Sequence, residues 1–111
     1  DRVENFAKLN AYHVSMVPYF LQQLQDYQEG DSNLLDKTMV MYGSAMADSN
    51  LHNHIRCPLF LAGGANGALK GGEHLRAPIG TPMANVYLDL LHRMGLDDLK
   101  SFGNSTGTFS V

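Results

Sequence analysis

The run Thr38–Tyr42, TMVMY, most constrains the fold open to this chain. After Thr38 it is apolar at both alternating positions. A strand of that kind hides both faces, which suits a parallel sheet with helices on either side. Pro58–Ala62, PLFLA, reads as a second apolar strand. The helical segment ahead of TMVMY then supplies the α-to-β half of such a unit. The expected fold class is α/β: a small, mainly parallel sheet flanked by helices, in one domain over residues 1–111.

The helices are set by periodicity. Val3, Phe6, Asn10, Val14, Val17, Leu21, Leu24 and Gln28 recur at spacings of three and four, placing one stripe on one helix face. Pro18 interrupts that stripe and predicts a kink, or a second helix with Pro18 in its first turn. Gly30 ends the segment, and Asp31–Asn33 form a polar turn. Thr81-Pro82 predicts another helix start, with Thr as N-cap and Pro at the first helical position. Met83, Val86, Tyr87, Leu90, Leu91 and Met94 form its apolar face, and Gly95 stops it. The tail Ser101–Val111 reads as a docked loop or short edge strand. The gap from Ser44 to Cys57 is long enough for a parallel crossover, yet shows no clear helix. Two strands make a thin sheet, so a third is expected from the tail, another chain or upstream sequence.

Composition narrows the function classes. A net charge of −3 leaves no basic footprint for nucleic acid. No apolar run approaches the ~20 residues of a transmembrane helix. Cys57 is the single cysteine, so neither an internal disulfide nor a cysteine metal motif exists, and it reads as a buried small hydrophobe.

Chemistry in open α/β proteins gathers at the carboxyl ends of strands. TMVMY runs into Ser44, Asp48, His52 and His54. Two imidazoles at i and i+2 on extended backbone can ligate one metal, with Asp48 or Ser44 adding oxygen, a mixed set that zinc accepts. The alternative is a polar loop whose histidines bond backbone groups. His13 joins the same pocket if its helix packs beside the strand, and is otherwise a half-buried histidine on the helix flank. His74 reads as a surface loop residue, and His92 as a last-turn residue favoured by the helix dipole. Ser44 in YGSAM fails the G-x-S-x-G nucleophile pattern, and a Ser44–His52–Asp48 arrangement rests on composition alone. GGANGALKGG lacks G-K-[ST] and reads as a flexible connector or lid.

The blocks EGDSNLLDKTMVMYGSAMADSNLHNH, PLFLAGGANGALKGGEHLR, TPMANVYLDLLHRMG and SFGNSTG, in that order, resemble a family of secreted bacterial proteins named for a His-x-x-Ser-His-His motif. The resemblance runs from about Leu9 to the end. It implies that the chain is the carboxyl-terminal part of a longer protein, with the signature motif upstream of Asp1. That family is distantly similar to the alkaline phosphatase and sulfatase superfamily, which hydrolyses phosphate or sulfate esters at two metal ions. The resemblance therefore implies an alkaline-phosphatase-like fold, zinc or another divalent metal, and a periplasmic or secreted location. It gives His52 and His54 as ligands, Asp48 as a ligand or supporting carboxylate, and Ser44 and His13 as neighbours. In that superfamily a late strand ends Ser-Asp-His. Here it ends Ser44-Ala45-Met46, and alanine and methionine cannot replace those ligands. The nucleophile would then lie upstream, and this chain alone is expected to be inactive. The lost pair favours a rival reading, a non-catalytic binding or assembly module of a secreted protein. A third reading is a structural domain that forms a homo-oligomer through an exposed sheet edge.

Overall fold

The computed structural model describes all 111 residues, which group into two compact units. The first holds Asp1–Val40 and Ala62–Gly71, and the second Met41–Leu61 and Gly72–Val111.

The first unit opens with α1, Arg2–Asp26. The Asp1 carboxylate accepts from the Val3 N–H at 3.2 Å, and Glu4 adds negative charge to the first turn. The first satisfies one orphan donor of the helix N-terminus, and the second complements the helix dipole. Pro18 does not divide the helix, which stays continuous through it. The Val14 carbonyl loses its helical partner there, on a residue exposed enough for water to serve instead. The helix ends at Asp26 because Tyr27 is extended. A tight hairpin follows, β1 (Gln28–Glu29) antiparallel to β2 (Ser32–Asn33), with Gln28 opposite Asn33. Gly30, at φ +66°, makes the reversal that a side chain would resist. Asn33 then caps α2, Leu34–Lys37, accepting from the Asp36 N–H at 2.9 Å. Val17, Leu21 and Leu24 are half-buried, while no residue of α1 is fully buried.

The glycine-rich segment is more ordered than a flexible connector. Ala65–Gly67 form a 3₁₀ turn closed by bonds from Gly67, Ala68 and Leu69 to Gly64 and Ala65. Gly64 N–H donates to the Leu35 carbonyl at 3.0 Å, tying this turn to α2.

β3 (Val40–Gly43) and β4 (Leu59–Ala62) pair with each other. Their direction corrects the expected parallel, alkaline-phosphatase-like sheet. The chain forms two small antiparallel two-stranded sheets and no parallel one. Ser44 N–H donates to the Pro58 carbonyl at one end, and Ala65 N–H to the Thr38 carbonyl at the other. Sequence therefore rises along one strand as it falls along the other. A parallel pair needs a crossover, usually a helix. The connection here instead folds back on itself at Asp48–Asn53, an antiparallel bridge. TMVMY is apolar throughout, yet β3 alternates half-buried and exposed residues, as an antiparallel strand with one open face does.

The second unit carries the buried core, which is small: Ala84, Leu88 and Leu90, all on α3, Ala84–Arg93. The helix starts two residues after Pro82. The Asn85 and Val86 N–H groups bond to Pro82 and Met83 at i+3 spacing, so the first turn is tightened. Gly95, at φ +91°, ends it as expected: its N–H donates to the His92 carbonyl and that of Leu96 to Leu91, a Schellman pair. The tail is a docked loop, with Asn85 taking the Thr106 N–H at 2.9 Å. No helix is long and apolar enough to cross a membrane.

Candidate functional site

The connection from β3 to β4 in the second unit carries Ser44, Asp48, His52 and His54. Ser44 follows Gly43 directly. Its Oγ accepts from the Met46 N–H at 3.1 Å, a local turn that small polar side chains favour. The Asp48 Oδ1 accepts from the Asn50 N–H at 2.9 Å and the Leu51 N–H at 3.2 Å. That carboxylate therefore holds the turn. Asn53 N–H donates to the Asp48 carbonyl and Ala47 N–H to the Asn53 carbonyl, closing the bridge. His52 lies at the tip with φ +50° and is exposed.

His54 and Cys57 converge on one atom, the Ala45 carbonyl oxygen. The His54 Nδ1 lies 2.7 Å from it, and the Cys57 Sγ donates to it at 3.1 Å. A carbonyl only accepts, so the His54 Nδ1 is the donor in this contact. The Cys57 Sγ also reaches the His54 carbonyl at 3.3 Å. Cys57 is half-buried and hydrogen-bonded, more engaged than a packing hydrophobe. Nothing in the sequence signals this node, because its acceptor is a backbone group.

Ser44 also borders a cleft of about 310 Å³ lined by Met41, Gly43, Ala45, Leu59, Met83 and Tyr87. The cleft is mostly apolar. Tyr87 Oη donates to the Met83 Sδ at 2.9 Å, and its ring meets Phe102 edge-on with centroids 6.0 Å apart. The Ser44 Oγ is engaged by the Met46 N–H, the Asp48 Oδ1 serves the turn, and the His52 ring stands exposed at its tip, so the Ser44–His52–Asp48 arrangement has no hydrogen bond joining its members.

His13 belongs to the first unit. It stands exposed on α1, its ring centroid 6.1 Å from that of Tyr12. His92 Nε2 lies 2.8 Å from the Leu99 carbonyl, which fixes the turn after α3. His74 is exposed.

The donor set offers a partial fit to a metal. Asp48, His52 and His54 share one turn, but no three His, Cys, Asp or Glu side chains come close enough to hold an ion. A complete centre would need ligands from elsewhere.

No family model matches this chain, and no curated protein or solved structure matches it either.

Proposed function

We propose that this chain is a non-catalytic assembly module of a secreted bacterial protein, related to the family named for the His-x-x-Ser-His-His motif. The observation that carries the reading is α1. This helix of 25 residues has none buried. Val3, Phe6, Leu9, Tyr12, Val14, Met16, Tyr19 and Phe20 all stand 43–68% exposed. A helix apolar around most of its circumference belongs inside a larger structure. Contiguous apolar surface of this extent marks an interaction site. The second support is chemical: Ser44-Ala45-Met46 lacks the ligand pair that the resemblance would require, and one oxygen of the Asp48 carboxylate already accepts from two backbone N–H groups.

Two measurements test the reading. The full parent protein equilibrated with zinc and desalted should retain less than one equivalent and hydrolyse neither p-nitrophenyl phosphate nor p-nitrophenyl sulfate. Stoichiometric zinc with hydrolysis, both lost in His52→Ala/His54→Ala, overturns it. Replacing Phe6, Tyr12 and Phe20 by Ser should leave α3 folded, with its amides still protected from exchange. Collapse of α3 in that variant would mean that these side chains serve the chain's own core, which also overturns it.

The metal-dependent phosphate or sulfate ester hydrolase is the second reading. It draws on the placement of Asp48, His52 and His54 in one turn, with the His54 Nε2 open. It needs the upstream part of the protein for its remaining ligands and its nucleophile. Elemental analysis of the full parent protein distinguishes it from the module.

A further inference from the structure

The stripe from Val3 to Leu24 is one face of α1. A second seam lies beside it. Leu9, Tyr12, Met16 and Tyr19 follow the three-four-three spacing of a coiled-coil seam and are 43–62% exposed. The same rhythm continues outward into polar residues: Arg2 and Asn5 before it, Gln23 and Asp26 after it. Pro18 stands off this seam, so the seam's spacing passes it unbroken.

The order of these eight residues is self-complementary. The steps read three, four, three, four, three, four, three in either direction. An antiparallel second copy, turned about residue 14, therefore brings the seam onto itself. Tyr12 meets Met16 of the second copy, an aromatic–thioether contact. Leu9 meets Tyr19, and Asn5 meets Gln23. At each end Arg2 meets Asp26, opposite charges across the interface. One oxygen of Asp26 accepts from the Gln22 Nε2 at 2.8 Å, and the other remains for Arg2. On the flank of the seam Phe6 lies within one helical turn of Phe20 of the second copy. A two-fold interface requires this reciprocity, in which residue i meets j and j meets i.

The area is sufficient. Phe6, Leu9, Tyr12, Met16, Tyr19 and Phe20 expose on the order of 700 Å² per copy, close to the ~800 Å² per partner of a standard interface.

We propose that two copies of this chain pair through α1, antiparallel along Leu9, Tyr12, Met16 and Tyr19, with Arg2 of each copy facing Asp26 of the other. The pairing rests on the module reading and names its partner.

Sedimentation equilibrium of the whole chain, from low to high micromolar concentration, tests it. The expected mass is twice 12.2 kDa. Tyr12→Glu should weaken association about a hundredfold, because it enters the interface twice. Arg2→Asp and Asp26→Arg should each weaken it about tenfold, and the double variant should restore it. Circular dichroism should show α1 intact in every variant, since none of these positions is buried. A monomer at all concentrations overturns the pairing, as does a dimer indifferent to Tyr12→Glu. A dimer that the double charge exchange fails to restore overturns the antiparallel register. None of these results touches the module reading, which falls instead on zinc uptake with ester hydrolysis.

Discussion

Gly63 shows how much one missing Cβ decides. Its φ is +94°, and a Cβ there would run into the Thr38 carbonyl oxygen and stand 3.0 Å from that of Leu35. Gly67 has nearly the same φ, +88°, but faces open space. Gly63→Ala should therefore destabilise the chain by about 2–4 kcal/mol, combining backbone strain with a clash that no side-chain rotation relieves. Gly67→Ala should cost only about 1 kcal/mol, the strain alone. Urea titrations of the two variants check the difference, and equal midpoints would refute it. Asp48 makes a second residue-scale case. Asp48→Ala leaves the Asn50 and Leu51 N–H groups to water, at a cost of about 1 kcal/mol, and should speed their hydrogen exchange. The sequence could not separate this role from metal ligation. Both uses ask for a short side chain with a free oxygen in a polar loop, and only the position of the neighbouring N–H groups tells them apart. The same ambiguity hid His54, whose partner is a carbonyl nine residues earlier.

At the scale of elements, α3 shows what periodicity does and does not reveal. Its apolar face is legible, and so is its stop at Gly95. Its polar face is not simply solvated: Asn85, Asp89 and Arg93, four residues apart, form a stripe that receives the tail. Asp89 Oδ2 accepts from Arg93 Nε at 2.8 Å and from the Val111 N–H at 3.3 Å. Arg93 also donates to Ser110 Oγ at 3.2 Å and to the Val111 carbonyl. These groups are shielded, with Asp89 only 14% exposed, so their bonds count for more than a surface pair. Asp89→Ala should lower stability by about 1–3 kcal/mol and expose Phe102 and Phe109 to chymotrypsin, read by urea titration and by cleavage at low protease ratios. A tail that resists cleavage in this variant would show that the stripe does not hold it. The strands are legible in position: β4 falls within PLFLA, and β3 covers the end of TMVMY and runs one residue past it to Gly43. Their direction is not. It depends on whether residues 44–58 coil into a crossover or turn back, and that choice is made by the Asp48–Asn53 bridge rather than by the composition of either strand. For α1, one apolar stripe is legible and the second seam is not, because Tyr12, Met16 and Tyr19 are interleaved with Asn10, Val14, Val17 and Leu21 of the first stripe in the linear sequence.

For the whole molecule the quantity that matters is the balance between what is buried and what is left out. Fully buried apolar residues number only Ala84, Leu88 and Leu90. Removing most of Leu88, which is 2% exposed, costs about 2–5 kcal/mol in an ordinary core. A chain of this size has a total stability of the same order. Leu88→Ala should therefore abolish cooperative unfolding of the second unit, seen as loss of the near-ultraviolet dichroism of Tyr87. Against this small core stands the apolar surface of α1, which association would remove from water. A dimer held by that surface is stabilised by mass action, so its unfolding midpoint rises with protein concentration. A tenfold increase is worth about 1.4 kcal/mol per mole of dimer. Shared between two chains of this length, that shifts the thermal midpoint by about 2–5 °C. Scans of the unaltered chain at two concentrations a decade apart should show this rise, and Tyr12→Glu should show none. Equal midpoints in the unaltered chain would mean that its stability resides within each copy. The three residues on α3, with the tail clasped over the polar stripe, would then have to hold the fold without help from α1.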